Sequence, residues 1–575
     1  MLYPQLNKKR SLFSLDGFWR FKEDRENVGE TDRWFDGLEE CRELAVPGSW
    51  NEQCIDLFDF FGKGWYEKET HIPSEWSGKS VWLRIGSASM NAKVWINGQY
   101  VGEHIGPHLP FEFNITEIAA PGSSIRITVL VDDTLDPWSL PPARLYNHEA
   151  REGFYNTNPP VTYDFYPYGG IHRTVYIYST LDNRIEDITI KTEVKGTSGI
   201  VHYCVAVTRP LNGELVLKSA GKEIRTRFDH SAVSEGSFEV EDARLWDIGQ
   251  PNLYTAELEV YTEGSLIDCY KQTYGIRTVK VEGNKFLLNG KEVFFKGFGK
   301  HEDFFACGKG LNNCVTVKDF DLLKWIGANS FRTTHYPYAE EIIDFADKNG
   351  ILVIDEAPFV GMGDRLCTPE ILEKAKGVVK ELVTRDKNHP CVVMWSLANE
   401  PWLDTPEGEN FLTEIGKLTR ALDTTRPITY VAYREPENNP ALKHYDVVCI
   451  NKYYGWYVLP GQIDQTLPDF CNCMDKFYET FKKPMIISEF GADAIDGVHT
   501  LPALMFSEEF QSNIIEKQFK ALMEKDYCIG AHVWCFADFQ ACQTTTRIIY
   551  NRKGVFTRDR SPKMAAYKLK ELWRD

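Results

Sequence analysis

The chain has 575 residues, of which 43% are hydrophobic and 26% charged, a composition typical of soluble globular proteins with several domains. Its formal net charge is −18 at pH 7, and no run of lysine and arginine marks a path for phosphate groups, so we expect no nucleic-acid partner. No stretch approaches the ~20 consecutive apolar residues of a membrane span, so we expect no membrane partner.

The amino-terminal segment and the cysteines indicate the compartment. The segment Met1–Arg10 lacks the apolar core of a secretory signal. The 14 cysteines are scattered, and Cys471 and Cys473 are separated by one residue rather than by the two of a metal or redox pair. We therefore expect a cytoplasmic protein with reduced thiols and no zinc site.

Residues 1–182 have the pattern of a jelly-roll β-sandwich. Alternating apolar and polar positions predict four of its strands, at Ser80–Gly86, Ala92–Ile96, Ser124–Val131 and Gly169–Tyr178. The dipeptide Asn97-Gly98 predicts a two-residue hairpin after the second of them. A loop rich in proline and aspartate follows the third strand and ends near Pro160. Short strands joined in this way are typical of antiparallel sandwiches.

Residues 183–278 have the pattern of a second all-β domain. Short strands are predicted at regular spacing, at Ile185–Lys191, Val201–Val207, Glu214–Leu217 and Tyr254–Tyr261. No Cys–Trp–Cys arrangement occurs, so only the shape of an immunoglobulin-like β-sandwich is predicted.

From residue 279 to residue 575, apolar runs alternate with helical patterns. Eight runs begin near Val293, Asn329, Ile351, Cys391, Ile428, Val447, Met485 and Ile529. Helices are predicted between them, including Asp319–Ile326, Ala339–Asn349, Pro369–Lys387, Gly408–Leu422, Asp469–Phe481 and Ser507–Lys525. Eight strand–helix units predict a (β/α)8 TIM barrel, whose active site lies at the carboxyl ends of the strands.

Two glutamates lie at the ends of predicted strands on opposite sides of the barrel. Glu400 follows the fourth strand and Glu489 ends the seventh. Retaining glycosidases use two carboxyl groups ~5–5.5 Å apart, one to protonate the leaving oxygen and one to attack the anomeric carbon. One such glutamate would more often be a solvated loop residue, but a pair on strands four and seven favours catalysis.

The charge states of this pair follow from their proximity. Two anions ~5 Å apart at an effective dielectric of ~20 repel by roughly 3 kcal/mol, about two pKa units. We therefore expect one carboxyl to hold a proton near neutral pH. Once the nucleophile is glycosylated its charge is gone, so the pKa of the partner falls and it can act as a base toward water.

Four motifs resemble those of glycoside hydrolase family 2. Asp386–Glu400 is similar to its acid/base signature and Ser488–Gly491 to its nucleophile motif, while Gly169–Arg173 and Trp95–Gly98 resemble its N-terminal sandwich. The resemblance covers essentially the whole chain. It implies retention of configuration, with Glu400 as acid/base, Glu489 as nucleophile and Asn399 on the sugar 2-hydroxyl.

Within that family the pattern is most similar to the bacterial β-glucuronidases, as found in gut bacteria. Their Asn-x-Lys motif, which grips the sugar carboxylate, is matched at Asn551 and Lys553. Their tyrosine-bearing loop after strand six is matched at Asn451–Tyr457. The resemblance further implies substrate contacts from Asp164, His335, Tyr453, Tyr457, Trp534 and Arg547. It implies hydrolysis of small-molecule or oligosaccharide β-D-glucuronides to D-glucuronate, and a homodimer or homotetramer.

The residue types alone also support binding of a sugar carboxylate. A uronic acid differs from its hexose by a carboxylate, to which Lys553 offers a charge and Asn551 an amide donor. With a neutral hexose we expect the ammonium to be unpaired, at a cost of ~3–5 kcal/mol. Taken alone, Asn-Arg-Lys would more often be a solvated basic turn. Its place after the eighth strand favours a role in binding.

The segment after the third predicted strand is short. Only Ala357–Thr368 separates that strand from the next helix, where several relatives carry a long loop that gates the aglycone. We therefore expect an open mouth and tolerance of bulky or oligomeric aglycones.

Two alternative functions remain compatible with the sequence. One is another family 2 exo-glycosidase, a β-galactosidase or a β-mannosidase, which would share the two carboxylates but not the Asn551 and Lys553 pair. The other is a non-catalytic carbohydrate-binding protein, for which an opposed acid and nucleophile have no use. No cofactor and no metal are expected, since carboxylate chemistry needs neither.

Overall fold

The computed structural model describes residues 1–145 and 157–574, and its first domain is built from two antiparallel sheets that share one hydrophobic core. The smaller sheet has the order Ser11–Ser14, Val175–Thr180, Ser80–Ile85, Phe111–Asn114. The larger has the order Arg42–Val46, Gly17–Asp24, Lys63–His71, Ser124–Asp132, Asn91–Ile96, Gln99–Ile105. A third sheet joins Gly48–Ser49, Gly170–Ile171 and Ala88–Ser89, and short helical turns span Trp34–Asp36, Trp50–Gln53, Ile55–Leu57 and Ser74–Trp76.

The predicted hairpin at Asn97-Gly98 is confirmed. Ile96 pairs with Gln99, and both loop residues are left-handed, with φ of 50° for Asn97 and 80° for Gly98. Two positive φ angles match the twist of the flanking strands, and asparagine and glycine reach them at least cost. Residues 146–156 of the predicted proline-rich loop lie outside the described residues.

The second domain is an antiparallel sheet of long strands, Ile185–Lys195, Ser198–Ser219, Lys222–Val240, Tyr254–Thr262 and Ser265–Tyr274. The prediction of separate strands at Val201–Val207 and Glu214–Leu217 is wrong, because both are halves of Ser198–Ser219. Its register shifts between Ala206 and Gly213. The first half pairs with Ile185–Lys195 and the second with Tyr254–Thr262, so this irregularity lets one strand pair with two different neighbours.

Eight parallel strands close into a barrel, as predicted. They are β1 (Phe295–Lys300), β2 (Ser330–Thr333), β3 (Leu352–Glu356), β4 (Val392–Asn399), β5 (Ile428–Ala432), β6 (Val448–Asn451), β7 (Met485–Glu489) and β8 (Cys528–Trp534). Short strands outside the barrel comprise Trp246–Asp247 with Gln250–Pro251, Val279–Glu282 with Lys285–Leu288 and Lys291–Glu292, and Phe539–Gln540 with Tyr550–Asn551. Every residue of β2 to β8 is buried, which is the pattern of parallel strands covered on both faces.

Helices surround the barrel as α1 (Asn313–Ile326), α2 (Glu340–Asn349), α3 (Pro369–Asp386), α4 (Pro406–Leu422), α5 (Ile463–Phe481), α6 (Glu508–Met523) and α7 (Met564–Leu572). A short helical turn at Asp364–Leu366 precedes α3. Between β5 and β6 the connection is made by two short 3-10 helices, Pro436–Asn438 and Pro440–His444. Within the described part of the chain, none of the helices combines the length and apolar character needed to cross a bilayer.

A buried arginine of the first domain fixes it to the barrel. Arg173, in the Gly169–Arg173 motif, donates from Nη2 to the carbonyl oxygen of Pro337 at 2.7 Å. The same nitrogen lies 3.2 Å from Oε2 of Glu302. A charge-assisted contact of this kind is strong when it is shielded from water.

A second connection brings the first domain over the barrel mouth. The backbones of Asn158 and Gln543 exchange hydrogen bonds of 2.8 and 2.9 Å, and Tyr166 N donates to Gln540 O at 3.1 Å. Because Gln540 and Gln543 follow β8, this pairing holds the intervening Asp164 over the carboxyl ends of the barrel strands.

Candidate active site

A cavity of about 940 Å³ opens at the carboxyl ends of the barrel strands. It is lined by ten of the eleven residues predicted for the site: Asp164, His335, Asn399, Glu400, Tyr453, Tyr457, Glu489, Trp534, Arg547 and Lys553. The eleventh, Asn551, is fully buried and is not part of the lining.

Glu400 follows β4 in a left-handed conformation, with φ of 48°. This conformation is uncommon for a residue with a side chain and is often found at functional sites. The backbone nitrogen of Glu400 donates to the carbonyl of Val431 on β5 at 2.9 Å, which fixes the turn. Its Oε1 accepts a hydrogen bond from Nδ2 of Asn451 at 2.8 Å.

Glu489 is the last residue of β7 and both of its carboxylate oxygens are occupied. Oε1 accepts from Nη2 of Arg332 at 2.6 Å, and Oε2 accepts from the hydroxyl of Tyr453 at 2.7 Å. These two donors fix the rotamer of the carboxylate within the cavity and favour its ionised form.

The environments of the two glutamates separate their protonation states. Burial, followed by the negative charge of Glu489, raises the pKa of Glu400 to about 7. Burial also raises the pKa of Glu489, but the Arg332 guanidinium and the Tyr453 hydroxyl oppose it. Glu400 therefore has a carboxyl that can carry a proton near neutral pH, whereas the contacts of Glu489 with Arg332 and Tyr453 favour its ionised form.

Arg332 and Glu356 form a fully buried ion pair next to Glu489. Nη1 of Arg332 lies 2.7 and 2.8 Å from the two oxygens of Glu356. Ser396 donates to Oε2 of Glu356 at 2.7 Å, which satisfies the carboxylate further. The pair holds a positive guanidinium against Glu489 at a fixed distance, where it stabilises negative charge.

His335 is neutral and oriented by the same pair. Burial, and then the charge of Arg332, lowers the pKa of His335 well below its ordinary value. Nδ1 lies 2.9 Å from Oε1 of Glu356 and 3.2 Å from Nη1 of Arg332, and Nε2 lies 3.8 Å from Oε1 of Glu489. The ring stacks on Trp534, the last residue of β8, with 5.1 Å between centroids.

Asn399 and Asn451, the last residues of β4 and β6, are hydrogen-bonded to each other beside Glu400. Nδ2 of Asn451 lies 3.2 Å from Oδ1 of Asn399, and Ser488 donates to Oδ1 of Asn451 at 2.9 Å. Register shifts occur at both strand ends, between Ser396 and Asn399 and between Ile450 and Asn451. Such bulges re-aim side chains next to active sites.

Asp164 forms an ion pair with Arg547 at one side of the cavity. Nε and Nη2 of Arg547 donate to the Asp164 carboxylate at 2.9 to 3.1 Å, and Asn551 donates its amide to Oδ2 at 2.5 Å. Burial raises the pKa of Asp164, but Arg547 and Lys553 outweigh burial and hold it below the ordinary value. The carboxylate of Asp164 is therefore ionised at neutral pH.

Lys553 is 1% exposed and its ammonium already has an anionic partner. Nζ lies 2.5 Å from Oδ2 of Asp493 and 3.0 Å from the Tyr457 hydroxyl. The expectation that this ammonium would be unpaired without a uronate is therefore wrong. With a neutral hexose in the cavity, Lys553 would stay paired with Asp493. The free-energy cost of binding a hexose instead of a uronate is therefore smaller than the sequence argument assumed.

Four contributors to the site were missed from the sequence, namely Arg332, Glu356, Asn451 and Asp493. The first three lie at or next to the ends of barrel strands, so the rule that selected Glu400 and Glu489 applied to them as well. Asp493 lies in the loop after β7, where no local pattern indicates a partner 60 residues away in sequence.

A group of possible metal-ligating side chains lies away from the cavity, at Asp344, Asp347 and His389. His389 Nδ1 lies 2.6 Å from Asp347 Oδ2, and the backbone of Cys391 donates to Asp347 Oδ1 at 2.8 Å. Burial opposes protonation of His389, but Asp347 outweighs it and raises the pKa of the imidazole to about 9. These contacts tie α2 to the start of β4.

Models of three domains of glycosyl hydrolases family 2 match consecutive parts of the chain. The sugar-binding domain matches residues 12–181, the model described simply as glycosyl hydrolases family 2 matches 171–277, and the TIM barrel domain matches 279–575. The chain belongs to glycoside hydrolase family 2. The resemblance drawn from the motifs is confirmed, and with it the sandwich, immunoglobulin-like domain and barrel of this glycoside hydrolase.

Relatives of this family 2 enzyme align with it from end to end. A β-glucuronidase from Paenibacillus borealis is 43% identical over 592 residues, covering 100% of this chain and 98% of the relative. The structure of a β-glucuronidase from an uncultured Clostridium sp. matches with a TM-score of 0.92 and 40% identity, covering 100% of this chain and 99% of that one. The β-glucuronidase of Ruminococcus gnavus in complex with D-glucuronic acid matches with a TM-score of 0.92 and 36% identity over the same shares.

Proposed function

We propose that this glycoside hydrolase is a retaining exo-β-glucuronidase that releases D-glucuronate from β-D-glucuronides. The observation that carries the proposal is one cavity that holds both an opposed carboxyl pair, Glu400 and Glu489, and two cationic side chains, Arg547 and Lys553. The names of the end-to-end relatives and the glucuronic acid complex of one of them support the same substrate.

In the first half-reaction Glu489 attacks the anomeric carbon and Glu400 gives its proton to the departing glycosidic oxygen. A covalent glucuronyl-enzyme ester forms as the bond to the aglycone breaks. Arg332 and Tyr453 aim the Glu489 carboxylate for the attack. Asn399, beside the pair, is assigned to the sugar 2-hydroxyl.

In the second half-reaction Glu400 acts as a base toward water. Esterification removes the charge of Glu489, which is the second largest cause of the raised pKa of Glu400. The pKa of Glu400 therefore falls, and its carboxylate accepts a proton from the water that attacks the anomeric carbon. Glu489 leaves as a carboxylate, and the configuration is retained after two inversions.

The substrate carboxylate is assigned to the side of the cavity that holds Lys553, Arg547 and the Tyr457 hydroxyl. Asn551 does not line the cavity. It donates a hydrogen bond to Asp164, which in turn holds Arg547 in place. The remaining contacts are assigned to Asp164, His335, Tyr453 and Trp534, which line the same cavity. Before binding, Arg547 is paired with Asp164 and Lys553 with Asp493, so both cations are already held in place when the substrate carboxylate arrives.

Domain boundaries at 182/183 and 278/279 are part of this proposal. They are supported by the gaps between strands Val175–Thr180 and Ile185–Lys195, and between strands Ser265–Tyr274 and Val279–Glu282. A cytoplasmic location and a homodimer or homotetramer stay predictions.

The test of the proposed function is a panel of aryl β-glucuronide, β-galactoside and β-mannoside at equal concentration. We expect kcat/KM for the glucuronide to exceed that for the other two by at least about a hundredfold, because two ordered cations contact its acid group. Comparable rates on the galactoside or the mannoside would replace the proposal with one of the alternative family 2 activities.

The pH dependence should report the protonation state of Glu400. Since only its protonated form can assist departure of an alkyl aglycone, we expect kcat/KM to fall about tenfold per pH unit above a pKa of about 7. The raised pKa of Glu489 sets the acid limb, where protonation removes the nucleophile. Replacing Glu489 with glutamine should lower the pKa of Glu400 in an NMR titration. A basic limb near the ordinary glutamate value of about 4.3 would contradict this account.

The mouth of the cavity bears on the size of the aglycone. The short segment after β3 is bound to the end of β4, since Gly361 N donates to Asn399 O at 3.1 Å, and this supports an open mouth on the β3 side of the cavity. We expect kcat/KM for a glucuronic-acid-ended oligosaccharide to lie within about tenfold of that for a small aryl glucuronide, a difference of about 1.4 kcal/mol. A much larger preference for the small substrate would overturn the expectation.

A further inference from the structure

The outer rim of the active-site cavity differs in chemistry from its interior. Among the described residues that line the cavity, five are exposed, namely Trp402, Tyr457, Val458, Pro460 and Thr545. Four of these five carry aromatic or apolar side chains. Large apolar side chains grouped at the entrance of a cleft mark a binding surface, whereas the same residues scattered singly would not.

Trp402 is the largest of these side chains and stands on a fixed backbone. Its side chain is 49% exposed, although Pro401 and Leu403 on either side are buried. Its backbone nitrogen donates to Met362 O at 2.7 Å, and it forms a β-bridge with Gly363. The backbone that carries the indole is therefore fixed at the rim, and about half of the side chain is exposed.

The place of Trp402 relative to Glu400 assigns it to the aglycone side. Glu400, two residues earlier, gives its proton to the glycosidic oxygen, so whatever is bound to that oxygen lies beyond Glu400, toward the rim. The sugar side is the buried interior, where Asn399, Lys553 and Trp534 are each less than 9% exposed. Trp402, by contrast, is 49% exposed at the rim.

The cavity has room for a large aglycone beside the sugar. Its volume of about 940 Å³ lies at the upper end of the ~300–1,000 Å³ that hold a drug-sized ligand. A single glucuronyl ring fills only part of that space. The remainder extends to the exposed rim, where Trp402 is 49% exposed and Val458 46% exposed.

The rim suits an apolar fused-ring group better than a second sugar. A sugar chain carries hydroxyl groups around each ring, and each of these needs a hydrogen-bond partner when it leaves water. Thr545 is the single aliphatic hydroxyl among the five exposed lining residues, and Tyr457 already binds Lys553 through its own. Flat apolar rings, by contrast, stack on an indole face.

We propose that Trp402 forms the platform of an aglycone subsite for planar, fused-ring apolar aglycones. This subsite is specificity-determining and takes no part in bond cleavage. The inference rests on the proposed glucuronidase activity, because it assigns the group that the enzyme releases.

The experiment compares the wild-type enzyme with Trp402→Ala and Trp402→Phe on three substrates: methyl β-D-glucuronide, a naphthyl β-D-glucuronide and a glucuronic-acid-ended oligosaccharide. Trp402→Ala should lower kcat/KM for the naphthyl compound about tenfold more than for the methyl compound, chiefly through KM. Trp402→Phe keeps an aromatic face. Its kcat/KM for the naphthyl compound should therefore fall at most about threefold more than its kcat/KM for the methyl compound. The oligosaccharide-to-methyl ratio should change less than threefold.

Trp138 provides the matched control, since it is 46% exposed and does not line the cavity, so Trp138→Ala should leave all three ratios as they are. An unchanged naphthyl-to-methyl ratio in Trp402→Ala, with its melting temperature preserved, would overturn the subsite. A loss confined to the oligosaccharide would overturn it in favour of a glycan platform. A wild-type enzyme inactive on methyl and naphthyl glucuronides alike would instead refute the proposed function.

Discussion

Replacing Glu400 with alanine should lower kcat/KM for an alkyl β-D-glucuronide by about 10²–10⁴-fold, because the departing alkoxide then receives no proton. For a nitrophenyl glucuronide, whose leaving group is stable as an anion, the first step should survive and the covalent ester should accumulate. Azide, which needs no general base, should then release the sugar as the β-glucuronyl azide, with configuration retained. The product is identified by NMR.

Glu489→Ala supplies the opposite diagnostic. With the nucleophile removed, azide can attack the anomeric carbon directly in the space left by the carboxylate and should give the α-azide, with inverted configuration. Glu407→Gln, at an exposed glutamate in the first turn of α4, is the control and should keep full activity. The same azide configuration from both alanine variants, or no azide product from either, would show that the two roles are wrongly assigned.

The fold was predictable because apolar residues recur at a different spacing in the two β-domains than in the barrel. Strand alternation ends and helix periodicity begins near residue 279, and all eight predicted runs overlap strands of the barrel. Where prediction failed, the cause was tertiary. Ser198–Ser219 contains a polar stretch that resembles a turn, yet pairing with three neighbouring strands carries it through as one strand.

The site was predictable only as far as strand ends and family motifs reach. Glu400 and Glu489 stand at strand ends and within family motifs, and the two signals together select them. Asp164 had no signal of its own, because its position depends on pairing between the first domain and the segment after β8. The partnership of Lys553 with Asp493 depends on two loops that meet only in the folded barrel, which is why the sequence argument left the ammonium unpaired.

That partnership decides how the role of Lys553 must be tested. Replacing Lys553 with methionine should reduce kcat/KM for an aryl glucuronide by about a thousandfold, or ~4 kcal/mol, relative to the matching glucoside, because the acid group loses a charge partner. The same change leaves Asp493 buried without a cation, which should destabilise the fold by ~3–5 kcal/mol. Loss of activity in this variant alone would therefore be ambiguous.

The double variant Lys553→Met/Asp493→Asn separates the two effects. Asparagine at position 493 keeps the Oδ1 acceptor that binds the backbone nitrogen of Arg552 at 2.8 Å but carries no charge. The free energy of unfolding of the double variant should therefore be close to that of the wild-type enzyme. Selectivity for the glucuronide over the glucoside should not return. Lys517→Met, at a partly exposed lysine on α6, controls for loss of a surface charge. If the double variant regains the wild-type selectivity, Lys553 serves only to neutralise Asp493, and recognition of the uronate must then be carried by Arg547.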